Sequence, residues 1–107
     1  MSVFICIETT TSTKEDAENL AKKIIETQLG ACVHISSEIQ SIYHWDGRLI
    51  SDKEWVVSIK TTQALFEKVA TFLKNEHPYD VPQIIAMPIT DVSPDYAAWM
   101  NETLQSL

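Results

Sequence analysis

"ACVHISSEIQSIYHWDGRLISDKEWVVSIKTT", residues 31–62, is the stretch that decides the fold. Near its middle stand Asp46 and Gly47, a dipeptide that takes positive φ angles readily and closes a tight antiparallel hairpin. β-branched and aromatic residues dominate both flanks, which is typical of strands on a half-buried sheet. The stretch therefore predicts one long β-hairpin.

The length of this hairpin predicts contact with another copy of the chain. A single strand over residues 31–46 would be about 50 Å long at roughly 3.3 Å per residue, whereas a domain of this size is only about 35 Å across. The tip would extend beyond its own core, and its large apolar side chains are costly to leave in water. We expect a second copy to cover them, with an oligomer interface formed by Ile42, Tyr43, Trp45 and Trp55. The alternative is a β-bulge at residues 36–38 that folds the tip back onto its own domain.

Length and composition predict one globular domain, residues 1–107, with a single hydrophobic core. No apolar run approaches the roughly 20 residues of a membrane span, so we expect no membrane contact. Eight Lys and Arg against fifteen Asp and Glu give a net charge of −7, which excludes the basic footprint of a nucleic-acid binder. The first residues lack a signal-peptide pattern, so we expect a cytoplasmic location. In that compartment Cys6 and Cys32 are expected to be buried, reduced thiols.

Two further strands are predicted outside the hairpin, over residues 2–8 and 83–90, and both are apolar on each face. Pro88 places the second of them at a sheet edge or near a strand end. Together with the hairpin and the helices between them, these strands give the order β-α-β-β-α-β. That order predicts an α+β, ferredoxin-like split β-α-β sheet with both long helices on one face. The apolar residues of its other face again predict a homo-oligomer.

The helix boundaries follow from capping signals. Ser12 with Glu15 three residues later is a capping-box pattern for the first helix, and Gly30 is placed as the residue that ends it. Thr62 is predicted to cap the second helix. Pro94 opens a short C-terminal helix at its first turn.

A candidate metal site lies in residues 76–80, with the sequence EHPYD. The imidazole of His77 and the carboxylate of Glu76 are suitable ligands for Cu(II) or Zn(II). A complete site would need further groups from elsewhere in the chain or from an adjacent copy. The alternative is a partly buried His77 that interacts with the helix-terminal carbonyl groups and dipole.

A second candidate site involves Lys60, which follows apolar Ile59 at the end of a central strand, where a charge needs a partner. With Tyr79 and Trp45 it would form an inter-subunit cleft for a small anionic ligand; the alternative is a lysine that extends to solvent. The sequence contains no nucleophile-base signature and no glycine-rich phosphate loop. We therefore expect neither an enzyme nor an organic cofactor.

Four segments in order, SIYHWDGRL at 41–49, IKTT at 59–62, HPY at 77–79 and DYAAW at 95–99, resemble CutA, the divalent-cation tolerance proteins. The resemblance covers nearly the whole chain. It implies a single CutA-like domain that forms a homotrimer and exchanges its hairpins between subunits. It also implies a role in tolerance to copper and other divalent ions.

The resemblance bears on the metal site as well. Members that bind copper carry a cysteine just after the first strand and a His-His pair before Pro-Tyr. Here Thr9, or Glu8 one residue earlier, stands at the cysteine position, and Glu76 replaces the first histidine. This implies a weakened site of His77 with carboxylates. The alternative function is a regulatory or scaffold trimer that binds a small anionic ligand or a protein partner in the cleft.

Overall fold

Residues 2–106 are described by a computed structural model in which strands and helices follow the expected order. The elements are β1 (Phe4–Thr11), α1 (Lys14–Glu26), β2 (Cys32–Trp45), β3 (Arg48–Thr62), α2 (Phe66–Glu76), β4 (Ile85–Pro88) and α3 (Pro94–Thr103), with a 3₁₀ turn at Gln63–Leu65. All neighbouring strands are antiparallel, in the order β2-β3-β1-β4. The predicted α+β, ferredoxin-like split β-α-β sheet is confirmed. None of the helices in residues 2–106 is long and apolar enough to cross a membrane.

The two faces of the sheet differ in what covers them. Ile7 and Ile59 pair across β1 and β3, are fully buried, and share one core with residues of α1 and α2. Side chains alternate along a strand, so the opposite face, here called the open face, carries a row formed by Cys6, Lys60 and Cys32. Both cysteines are half-buried and free rather than buried in the core as predicted, because their strand positions point away from the helices.

The hairpin closes at Asp46 and Gly47, whose φ angles are 52° and 71°, as the sequence predicts. A register shift interrupts the β2–β3 ladder between Ile35 and Glu38, which is the bulge that the sequence offered as an alternative. The bulge does not fold the hairpin tip back onto the domain. The elongated dimensions of the molecule, 46 × 25 × 22 Å, and the 72% exposure of Leu49 both show that the tip extends away from the core.

The bulge changes which face each β2 side chain occupies. Before it, Val33 pairs with Ile59 on the helix-covered face; after it, Tyr43 pairs with Ile50 on the open face. A one-residue register shift produces this reversal because the side-chain period of a strand is two. Ser36 stabilises the irregularity, since its Oγ accepts a hydrogen bond from the Val56 N–H at 2.8 Å. β2 therefore contributes to the core at one end and to the open face at the other.

Two predicted capping residues and two strand limits are corrected. Thr13, not Ser12, caps α1 by accepting the Asp16 N–H at 3.0 Å, because β1 continues beyond residue 8 to Thr11. Thr62 makes no side-chain cap bond and leads into the 3₁₀ turn instead. The strand predicted over residues 83–90 is β only over Ile85–Pro88. Pro88 lies both at the sheet edge and at the strand end, the two positions that the sequence allowed.

Gly30 has a different role from the helix-ending one predicted. α1 ends at Glu26, and Gln28 takes the left-handed conformation, with a φ of 59°. Gly30 is buried where α1 meets β3, and a Cβ there would lie 2.7 Å from Cγ2 of both Ile24 and Ile59. The position needs glycine for space, since both neighbours are stiff β-branched side chains without exposure.

Gly30→Ala should therefore lower the free energy of unfolding by about 1–3 kcal/mol, the usual cost of overpacking a core. Urea titration followed by circular dichroism would measure it. Gly47→Asn is the matched control, because Asn tolerates positive φ and nothing lies within 4 Å of a Cβ at residue 47. An unchanged midpoint for Gly30→Ala would contradict the close contact.

His77 connects the end of α2 to β1. Its side chain is 7% exposed, its Nε2 lies 2.8 Å from the Thr10 carbonyl oxygen, and its Nδ1 accepts the Tyr79 N–H at 3.1 Å. A carbonyl only accepts and a backbone N–H only donates, so the ring is neutral with its proton on Nε2. Burial lowers the pKa of His77, and the Thr10 bond opposes that effect only in part.

The lowered pKa of His77 predicts a pH-dependent stability. Below pH 6.5 the unfolded chain takes up a proton that the folded ring resists, so stability should fall as the pH drops from about 6.5 toward the folded pKa. His77→Gln, whose amide does not titrate, should reduce that fall, as measured by denaturation midpoints at pH 7.5 and 5.0. His44→Gln, at the exposed tip, is the control and should keep the wild-type slope. Equal slopes for wild type and His77→Gln would contradict this account.

Candidate ligand cavity

A cavity of about 420 Å³ opens beside the hairpin on the open face. β2 contributes two aromatic side chains, β3 two carboxylates, β1 and its end two hydroxyl groups, and the loop after α2 completes the wall. The lining residues are Thr10, Ser12, Tyr43, Trp45, Asp52, Glu54, Tyr79, Asp80, Val81 and Gln83. The β2–β3 register puts the hairpin residues of this set on one face, and the hairpin supplies four of the ten lining residues.

The charge of the lining has one sign. Asp52, Glu54 and Asp80 are the ionisable acids, and none of the lining residues is Lys, Arg or His. A cleft lined by one sign of charge concentrates ions of the opposite sign. The cavity therefore favours a cation.

Tyr79 and Glu54 form the inner pair of the cavity. The Tyr79 hydroxyl donates to Glu54 Oε2 at 2.7 Å, and Glu54 is 7% exposed. Burial first, and then the bond to Glu54, raises the pKa of Tyr79 far above its usual value. Tyr79 consequently stays a neutral donor that holds the carboxylate in place.

Tyr43 and Asp52 form an outer pair of the same kind. The Tyr43 hydroxyl donates to Asp52 Oδ2 at 2.6 Å across the hairpin, and this bond raises the pKa of Tyr43. Each pair uses one carboxylate oxygen, while Asp52 Oδ1 and Glu54 Oε1 accept no hydrogen bond from residues 2–106. Both carboxylates thus retain an oxygen for a donor or a cation.

The residues predicted for an anion cleft are only partly brought together. Trp45 and Tyr79 line this cavity, but Lys60 lies six residues beyond Glu54 on β3, about 20 Å away at roughly 3.3 Å per residue. Its Nζ donates to His34 Nδ1 at 3.2 Å. The cavity in one chain therefore lacks the cation that an anionic ligand would need.

The predicted metal pair is not arranged as a coordination site. Both ring nitrogens of His77 are engaged within the chain, and Glu76 Oε1 pairs with Lys23 Nζ at 2.7 Å on the surface. Within residues 2–106 no three His, Cys, Asp or Glu side chains converge to hold a metal ion. The pair does not fit a bound copper ion, because its lone pairs and charge already have partners.

The residues predicted for an oligomer interface fall into two groups. Ile42, Tyr43 and Trp45 are exposed at the hairpin tip, by 63%, 39% and 54%. Trp55 is half-buried and packs against the core of its own domain, because it pairs with Thr11 on the helix-covered face. Only the first three lie on the overhanging part of the hairpin.

Sequence reasoning missed the two hairpin carboxylates of the cavity, and it placed Asp80 in the metal segment 76–80 rather than beside the hairpin. Asp52 and Glu54 stand two residues apart on a predicted strand, so they share a face. Counting outward from the Asp46-Gly47 turn places that face with Tyr43 and Trp45. That signal was present, whereas nothing local connects Asp80 to the hairpin.

Comparison with known proteins identifies the family. The model of the CutA1 divalent ion tolerance protein family matches residues 5–103. The divalent-cation tolerance protein CutA of Thermus thermophilus is 39% identical over 93 residues, which is 87% of this chain and 90% of that protein. The chloroplastic protein CutA of Arabidopsis thaliana is 37% identical over 102 residues, 95% of this chain but only 56% of the relative's length.

Solved structures agree with the sequence comparison. CutA1 from Oryza sativa superimposes with a TM-score of 0.96 at 34% identity, covering 99% of this chain and 97% of that one. The divalent cation tolerance protein from Thermus thermophilus gives a TM-score of 0.91 at 35% identity, covering 95% and 99%. With its fold, its sequence and almost its full length matched, the chain belongs to the CutA1 family of divalent ion tolerance proteins.

Proposed function

We propose that this protein acts in divalent-cation tolerance as a homotrimer that binds divalent cations, copper(II) among them, in the cavity beside the hairpin. The observation that carries the proposal is the lining, with three carboxylates and no basic side chain among its residues. Such a lining attracts divalent ions twice as strongly as monovalent ones by simple charge. The proposed role is binding without catalysis, in the cytoplasm, as expected from the sequence.

The donor atoms set the kind of binding. Carboxylates, hydroxyls and the Gln83 amide offer oxygen, the ligand of hard cations, which keep several of their waters. Because the acidic side chains of residues 2–106 do not converge on a point, the attraction of the carboxylates would hold the ion together with its bound waters. Binding is therefore weak and weakens further as salt screens the carboxylates.

The proposed trimer is supported by exposed apolar surface in two places. Ile42 and Leu49 stand out from the hairpin tip, exposed by 63% and 72%. Ile85 and Met87 of the edge strand β4 are 45% and 39% exposed on the open face. Large apolar patches of this kind mark protein contacts, and other copies of the chain would bury both.

The ion-binding proposal predicts the outcome of a calorimetric titration. Copper(II), zinc or magnesium should bind about tenfold more weakly to Asp52→Asn/Glu54→Gln, which keeps shape but removes two charges; tenfold corresponds to about 1.4 kcal/mol. His77→Gln is the control and should bind like wild type. Loss of binding in His77→Gln with retention in the carboxylate variant would reverse the assignment.

The proposed trimer predicts how substitutions at the hairpin tip change the molecular mass in solution. Ile42 and Leu49 do not line the cavity, so Ile42→Asp/Leu49→Asp should dissociate the trimer in multi-angle light scattering without removing ion ligands. Asn19→Asp/Asn75→Asp adds the same charge on exposed helix surfaces and should leave the mass unchanged. A tip variant with the mass of the wild-type assembly would exclude the tip from the interface.

A further inference from the structure

We infer that the cavity accepts an organic dication, a flexible alkyl diammonium of the polyamine class, in addition to inorganic ions. The inference rests on the proposed function in one respect, that the cavity binds cations. The carbon chain of such a ligand would contact the aromatic side chains of the cavity, which a hydrated metal ion does not use. Three features favour it: the volume of the cavity, its aromatic wall and the carboxylate of Glu54.

The size of the cavity exceeds what an ion needs. At about 30 Å³ per water, six waters around a metal ion occupy roughly 180 Å³, less than half of the 420 Å³ present. Ligand pockets for small organic molecules begin at about 300 Å³. The cavity therefore has the dimensions of a small-molecule site.

The aromatic wall fits an alkylammonium ion. Tyr43, Trp45 and Tyr79 line the same cavity as the carboxylates, and Trp45 and Tyr43 still have 54% and 39% of their surface exposed. The face of an aromatic ring attracts a cation, most strongly for Trp and for poorly hydrated organic ammonium groups. The methylene groups of the ligand would pack against these aromatic rings, an apolar contact that a hydrated metal ion cannot make.

The carboxylate of Glu54 is suited to bind a positively charged donor. Glu54 is only 7% exposed, and its one hydrogen bond in residues 2–106 comes from Tyr79 to Oε2. Among residues 2–106 the one fully buried side-chain oxygen or nitrogen without a partner is Thr9 Oγ1, so Glu54 Oε1 remains accessible. A charged donor there would make a stronger hydrogen bond than water does. An ammonium group has three N–H donors and would bind Oε1.

Asp52 provides the second position. Its Oδ2 is held by Tyr43 at 2.6 Å, as Glu54 Oε2 is held by Tyr79 at 2.7 Å, so both carboxylates are oriented before a ligand arrives. Asp52 and Glu54 lie two residues apart on one face of β3, about 7 Å along the strand. That backbone separation is similar to the length of a four-carbon diamine.

The experiment is calorimetric titration of the intact protein with 1,4-diaminobutane, with 1,4-butanediol as the neutral isostere and magnesium as the inorganic ion. We expect the diamine to bind and the diol not to bind. Trp45→Leu should weaken diamine binding about tenfold and magnesium binding by a smaller factor, because Trp45 offers a ring face and no charge, whereas Glu54→Gln should weaken both. Trp45→Phe keeps an aromatic face and should lose less than Trp45→Leu, with light scattering confirming the same assembly for each variant.

The outcomes separate this inference from the proposed function. Glu54-dependent metal binding without diamine binding, or diamine binding that Trp45→Leu does not change, would overturn the inference and leave the proposed function standing. Diamine binding that depends on both Glu54 and Trp45, with no metal binding, would support the inference and overturn the metal assignment.

Discussion

The pairing of β2 with β3 is the interaction on which the other features of this molecule depend. The turn at Asp46 and Gly47 starts the register, and the bulge at residues 36–37 shifts it by one residue before the strands enter the domain. A shift of one residue exchanges the two faces of a strand. Val33 and Ile35 consequently pack against the core, while Tyr43 and Trp45 project from the open face.

The same register separates two surfaces of the hairpin. Tyr43, Trp45, Asp52 and Glu54 line the cavity, whereas Ile42 and Leu49 occupy the reverse side. The proposed cation binding and the proposed assembly can therefore be tested independently by substitution, although both surfaces belong to one hairpin. The strands that build them extend beyond the core, which explains the long axis of 46 Å in a chain of 107 residues.

Hydrogen bonds distant in sequence explain why the predicted metal pair has another role. His77 reaches the Thr10 carbonyl, and Glu76 reaches Lys23; neither partner is near in the chain. Local residue types gave a reasonable ligand pair, but a ligand also needs a free lone pair or an uncompensated charge. Likewise, Gly30 is needed because there is no space for a Cβ between Ile24 and Ile59. A capping pattern in the local sequence cannot predict that lack of space.

The sequence by itself determined the order of the elements, the hairpin turn and the α+β class, because these depend on periodicity and on the φ preferences of neighbouring residues. It limited Pro88 to a sheet edge or a strand end, and Pro88 occupies both positions. It also offered a bulge at residues 36–38, as the alternative to one uninterrupted strand. Only the tertiary structure decided the effect of that bulge, the acidic lining of the cavity, the satisfied state of His77 and the position of Lys60. Each of these depends on contacts between strands or loops far apart in the chain, where the distance and the partner, not the residue type, fix the chemistry.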